Sequence, residues 1–209
     1  MKKKTICAVT FLAAFVLWTV LVRFVDVRLI GPNDSMVGFA AVNGWFHGLT
    51  GVHWWLYAVT DWLGLVPIAV CLGFAILGLC QWIHRKKIRK VDASLLILGG
   101  YYLVVMAVYV LFEYVVINRR PVLIDGFLEA SYPSSTTMLV LCVMPTAAMQ
   151  LRSRIRYKSI RCIVIALILA FTAFMVIGRL LSGVHWLTDI IGGILLSAGV
   201  VTLYGALTE

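Results

Sequence analysis

The stretch Gly178-Arg179-Leu180-Leu181-Ser182-Gly183-Val184-His185-Trp186-Leu187-Thr188-Asp189 sets an arginine, a histidine and an aspartate at the junction of two apolar segments. His185 and Asp189 are four residues apart, so a helix starting near residue 187 brings them to one face. An imidazole held by a carboxylate serves as nucleophile or general base, and a guanidinium beside it clamps phosphate. Ionisable groups at a membrane boundary are costly, so their presence there points to function.

Working outward, the flanking segments define the class. The chain is 62% hydrophobic and only 13% charged, far from the average soluble domain. Several apolar runs reach the roughly 18 to 20 residues that a bilayer-crossing helix needs. The expected fold is all-α: a single membrane domain over 1–209 with six spans, at about 5–24, 55–82, 93–117, 134–151, 162–178 and 187–206. The alternation of a membrane barrel is missing. The first segment has a basic start like a signal peptide but no small-residue cleavage site, so it reads as an uncleaved anchor.

Charge orients the spans. Met1-Lys2-Lys3-Lys4, His84–Lys90 and Arg152–Arg161 carry most of the basic residues behind the net charge of +9. With both termini cytoplasmic, all three clusters face the cytoplasm, in keeping with the positive-inside rule. They are short and sit beside spans, so a nucleic-acid footprint is not the reading they support. The five cysteines, Cys7, Cys71, Cys80, Cys142 and Cys162, lack metal-ligand spacing and read as buried small apolar residues.

This orientation leaves about 25–54, 118–133 and 179–186 on the outer side. In the first, Gly31-Pro32-Asn33-Asp34-Ser35 reads as a turn and helix start. The glycine-punctuated tract holding Trp45, Phe46, Trp54 and Trp55 suits a helix in the interface, with His47 and His53 turned to water or headgroups. The other two segments carry the chemistry: Asn118-Arg119-Arg120-Pro121, Tyr132-Pro133-Ser134-Ser135-Thr136-Thr137, and Arg179 to Asp189. Ser134 to Thr137 open the fourth span, where free N–H groups and the helix dipole attract an anion. With arginines nearby, that is a phosphate cradle. Taken singly, Arg119 and Arg120 read as headgroup contacts and Ser134 and Thr136 as caps. Their convergence with His185 and Asp189 on one face favours catalysis.

Together these residues resemble the type 2 phosphatidic acid phosphatase family of membrane phosphatases, which shares its site with vanadium haloperoxidases. The family's motifs are Lys-x6-Arg-Pro, Pro-Ser-Gly-His and Ser-Arg-x5-His-x3-Asp. Arg120-Pro121 matches the end of the first, Pro133-Ser134 the start of the second, and Arg179, His185 and Asp189 the third. The resemblance implies that His185 attacks phosphorus and Asp189 orients its ring. It gives Arg179 the stabilisation of the transition state, and phosphate contacts to Arg120 and to Ser134, Ser135 and Thr136. Arg119 is the candidate extra cation. No metal or other cofactor is implied, and the partner is a phosphorylated membrane lipid.

Three positions depart from the pattern. Glu113 replaces the motif lysine and is expected to pair with an arginine. Gly178 replaces a serine. Thr136, preceded by Ser135, stands where the general-acid histidine belongs. A missing acid hurts an alkoxide leaving group most and a phosphate leaving group, with a second pKa near about 6, least. The expectation is therefore a lipid diphosphatase acting on an isoprenyl carrier such as undecaprenyl diphosphate, from a bacterial plasma membrane with the site facing out. The alternatives are a phosphatidic acid or phosphatidylglycerol phosphate monoesterase, using His47, His53 or water as acid, and a non-catalytic phospholipid-binding member. A channel or carrier finds little support in these segments.

Overall fold

The computed structural model describes residues 2–208. Eight helices account for most of them: α1 (Lys2–Phe24), α2 (Ala40–Thr50), α3 (Trp54–Leu63), α4 (Leu65–Arg85), α5 (Ala93–Tyr114), α6 (Ser135–Arg154), α7 (Lys158–Leu181) and α8 (Leu187–Leu207). A short antiparallel pair, β1 (Arg28–Gly31) and β2 (Ser35–Val37), precedes α2.

α1, the α3–α4 unit, α5, α7 and α8 are each long and apolar enough to cross a membrane. Only 6% of the most apolar window of Trp54–Arg85 is buried within the protein. Side chains such as Leu72, Ile76, Leu103 and Leu167 stand on the outer surface, an arrangement that requires hydrocarbon as the solvent. The chain is an integral membrane protein. α6, the expected span at 134–151, forms but falls outside that apolar set. It packs against α4, α5, α7 and α8 and buries Thr137, Thr146 and Gln150 along with its apolar residues. A helix enclosed by other helices need not be uniformly apolar, so a hydropathy criterion passes over it.

Two expectations about local structure are corrected. The span at 55–82 is two helices split at Gly64. Pro67 has no N–H for the carbonyl of Leu63, which breaks the ladder at that point. Gly31–Ser35 forms the expected turn but opens no α-helix; a single 3-10 turn at Pro32–Asp34 closes the β1–β2 hairpin, with Asn33 and Asp34 in the left-handed region. Asn and Asp tolerate that conformation better than other non-glycine residues. The helix in this segment is α2, and Trp45, Trp54, Trp55 and Trp62 are exposed around it and along α3, as a headgroup-level belt requires.

The expected uniform burial of the cysteines also fails. Cys142 is buried and Cys71 half-buried, whereas Cys7, Cys80 and Cys162 lie on exposed helix faces. In lipid, a small apolar group gains nothing by facing inward.

α1 and α8 run antiparallel. The Trp18 indole donates to the carbonyl of Thr188 at 3.1 Å, and Leu12 packs against Gly199. The ends of α5 and α7 and the starts of α6 and α8 thus share one end of the molecule with α2. At the opposite end, Asp92 holds Arg85 at 3.0 Å and Arg154 at 3.4 Å, gathering the basic turns. One core cluster joins Phe15, Val22, Val105, Tyr132, Met138, Cys142 and Leu196 from α1, α5, α6, α8 and the segment before α6. A second joins Leu95, Leu98 and Tyr204 to Phe74 and Leu77, and closes α4 onto α5 at the basic end.

Candidate active site

α7 ends where Ser182 turns its hydroxyl back to the carbonyl of Arg179 at 2.8 Å. Gly183 then takes φ +71°, a region costly to residues with a Cβ. A Cβ there would also lie 2.0 Å from the carbonyl oxygen of Gly51. This turn delivers His185 to the bundle interior just before α8. Asp189 sits in the first turn of α8, and its Oδ2 accepts the N–H of Trp186 at 2.9 Å, a favourable place for a carboxylate.

The second contribution comes from the segment joining α5 to α6, which doubles back on itself. Arg120 N–H donates to the carbonyl of Glu129 at 3.1 Å and Ser131 N–H to that of Asn118 at 2.9 Å. Asp125 and Gly126, both at positive φ, turn the tip; the Asp-Gly pair suits such a turn. Arg120 and Ser131 thereby come to face His185 from one side.

Five side chains then form a continuous network. Arg120 Nη1 lies 3.2 Å from His185 Nε2, and Ser131 Oγ lies 3.0 Å from Nδ1. Ser131 also donates to Asp189 Oδ2, and Asn118 Nδ2 reaches Asp189 Oδ1 at 3.4 Å. The direct His185 Nδ1 to Asp189 Oδ2 separation is 3.8 Å, too long for a hydrogen bond. A guanidinium has no acceptor, so Nε2 presents its lone pair; the one serine proton goes to the carboxylate, so Nδ1 carries hydrogen. His185 is held with a free pair on Nε2, the atom facing Arg120. Burial, followed by the Arg120 and Arg179 charges, holds its proton affinity well below the usual histidine range.

Arg179 arrives from α7 and is 1% exposed. Its Nη2 is 3.5 Å from Asp61 Oδ1, its Nη1 donates to Thr60 Oγ1 at 3.4 Å, and its guanidinium lies 4.9 Å over the ring of Tyr57. Gly178 allows α3 this close: a Cβ there would lie 2.7 Å from Thr60 Cγ2. Arg120 Nε is 3.0 Å from Glu129 Oε2 in an ion pair, and Arg179 Nε has no hydrogen-bond partner.

Both arginines line a cavity of about 1050 Å3 bounded by α3, α4, α5 and α6. Ser135, Thr136 and Arg119 line it too, as do Asp61, Glu113 and Glu129. Leu65, Ile68, Leu103, Met106, Leu139 and Val143 make its walls apolar. Ser134 is displaced from this lining: its N–H caps the carbonyl of Asp189 at 3.1 Å, and its hydroxyl is buried without a partner. Arg119 is exposed and donates to the carbonyl of Leu128 at 2.8 Å. It stands at the cavity wall, whereas Arg120 reaches the histidine.

Glu113 forms no ion pair with an arginine among the described residues; it lines the cavity together with Tyr109. Glu129 and Asp61 take the arginines instead, because the hairpin and α3 bring them closer. His47 is only half-exposed: its Nε2 is 3.1 Å from the carbonyl of Gly183, and its ring packs on Trp186 at 5.5 Å. His53 is exposed, beside Ser182. Neither lines the cavity. Ser131, Asn118, Thr60 and Asp61 were not apparent from the sequence. Ser131, two residues before Pro133, carried a local signal in its place beside the Pro-Ser pair. Among the described residues, no three His, Cys, Asp or Glu side chains gather as a metal site.

Residues 94–208 match the PAP2 superfamily. The chain belongs to the PAP2 superfamily. The match spans Arg120, Ser131 to Thr136, Arg179, His185 and Asp189, so the PAP2 region contains the whole network, while α3 brings Tyr57, Thr60 and Asp61 from outside it. The crystal structure of the first transmembrane PAP2 type phosphatidylglycerolphosphate phosphatase from Bacillus subtilis has a similar fold: TM-score 0.61 over 97% of this chain and 96% of that one, at 21% identity. No curated protein matches the chain in sequence.

Proposed function

We propose that this PAP2 protein is a membrane lipid phosphatase that cleaves the terminal phosphate of a lipid diphosphate, with an isoprenyl carrier as the substrate class. The observation that carries this reading is His185 Nε2, unprotonated and buried behind Arg120, which with Arg179 lines a cavity that has an apolar wall. Only an amphiphile with an anionic head suits both surfaces.

Phosphate oxygens draw the Arg120 guanidinium from Nε2, and Arg179 with the first-turn N–H groups of α6 binds the remaining charge. The Nε2 pair forms the N–P bond while the bridging P–O bond breaks, its electrons leaving on the departing phosphate. Water then forms a new O–P bond, the N–P pair returns to Nε2, and the water's proton passes to solvent. Thr136 stands at the cavity where the family places its acid. A hydroxyl is a poor acid near neutral pH, and a phosphate leaving group has little need of one.

The basic turns gather at the end opposite the site, so the positive-inside rule directs the site to the outer face of a bacterial plasma membrane. A monoester phosphatase is the second reading. It is favoured by Glu113, a cavity carboxyl outside the two arginine ion pairs and so the group placed to supply the missing proton. Phosphate release by purified protein from an isoprenyl diphosphate and from phosphatidic acid, against His185→Ala, separates the two. Faster diphosphate turnover, lost in the variant, supports the proposal. Faster phosphatidic acid turnover overturns the substrate class, and turnover of neither overturns the enzyme.

A further inference from the structure

We propose that Ser131 is a positioning residue for phosphoryl transfer, coupling His185 to Asp189 as the middle member of a three-residue relay. This inference rests on the phosphatase reading above. Its basis is geometric. The imidazole and the carboxylate are 3.8 Å apart at their nearest atoms, and the Ser131 hydroxyl fills the gap with a bond to each. Ser131 is 2% exposed and its hydroxyl is engaged by His185 and Asp189, so it works through His185 and not on the substrate. Its place is fixed by the N–H bond to the carbonyl of Asn118 at 2.9 Å and by the hairpin that also presents Arg120.

The relay has a direction. Nδ1–H donates to Oγ, and the Oγ–H donates to Asp189. As Nε2 forms its bond to phosphorus and the bridging P–O electrons leave with the departing phosphate, the ring becomes cationic with its proton still on Nδ1. The serine oxygen accepts that proton's hydrogen bond more strongly, because its own O–H is polarised by the carboxylate. When water displaces the ring from phosphorus, the electron pair returns to Nε2 and the same bonds relax. No proton has to leave Nδ1. A direct imidazole–carboxylate pair needs no such serine.

The test compares Ser131→Ala, Asp189→Asn and the double variant in full-length detergent-purified protein, with an isoprenyl diphosphate as substrate. Ser131→Ala is expected to lower kcat by about 10²-fold, the low end for proton-handling groups, with KM held within about twofold. The double variant should be no slower than Asp189→Asn alone, because one relay is already broken. Burial, Arg120 and Arg179 lower the proton affinity of His185 and the Ser131 backbone raises it; the Ser131 hydroxyl, which accepts from Nδ1 and leans on Asp189, favours the cationic ring as well. Its removal should move the acid limb of kcat/KM to lower pH, a shift that a purely structural role does not produce. Ser131→Cys, close in size and a weak hydrogen-bonder, should fall between wild type and alanine, and it serves if the alanine variant does not fold. Retention of kcat within about threefold in both variants, or multiplication of the two defects in the double variant, overturns the relay. Failure of the wild type to turn over any phosphorylated lipid is a different result, seen before any substitution, and overturns the phosphatase reading itself.

Discussion

In the proposed mechanism His185 is the nucleophile, prepared by what surrounds it. Burial, then the Arg120 and Arg179 charges, keep its proton affinity low, and the neutral ring is the form proposed to attack. The acid limb of kcat/KM, which reports the free enzyme, is therefore expected well below pH 6.5, where an ordinary histidine titrates. A limb at or above 6.5 in a pH profile contradicts this. Arg120 faces both Nε2 and the cavity with a planar fork that lysine does not reproduce. Arg120→Lys should lower kcat by about 10²- to 10³-fold, the range for one lost transition-state donor. At Thr136, restoring an imidazole should raise phosphatidic acid turnover by at least about tenfold and leave diphosphate turnover nearly unchanged; assays of both substrates on Thr136→His check the leaving-group argument. The arginines, His185 and Asp189 were legible in the sequence because their spacing is local or matches a motif. Ser131, Thr60 and Asp61 were not, since their roles depend on a hairpin and a helix packing that no spacing encodes. The same reason moved Glu113 away from any arginine.

At the scale of elements, the site depends on the turn between α7 and α8 and on the hairpin between α5 and α6. Gly183 is the tightest point, with φ +71° and the Gly51 carbonyl where a Cβ would go. Gly183→Ala should destabilise the protein by at least about 1–2 kcal/mol from the left-handed backbone alone, seen as a lower melting temperature in detergent. An unchanged melting temperature would show that this turn does not bear on stability. Most helices were legible because long apolar runs fix them. The break at Gly64 and the β1–β2 hairpin were not. Pro67 lies inside an otherwise continuous apolar run, and Gly31–Ser35 has the same turn residues that open helices elsewhere. α6 was read from its apolar stretch, yet its enclosure by four neighbours explains polar residues such as Gln150, which bonds Tyr204 and Ser94.

At the scale of the molecule, an apolar exterior, a basic end and a site end define one polarity. The proposed orientation puts Lys87 in the cytoplasm and Asp125 on the outer side. In a background without the five native cysteines, Asp125→Cys should label with an impermeant maleimide in intact cells, and Lys87→Cys only after permeabilisation. The reverse pattern would turn the site inward and remove the outer-leaflet substrate. The cavity joins this polarity to chemistry, since its charged floor lies toward the site end and its walls are apolar. The central claim is that phosphorus becomes bonded to His185. Rapid acid-free quenching of the protein with terminally labelled isoprenyl diphosphate, followed by mass spectrometry, tests it most directly. The account predicts an acid-labile, base-stable phosphate on His185, absent in His185→Ala. Rapid turnover with no phosphorylated intermediate, or a label on any other residue, would contradict it.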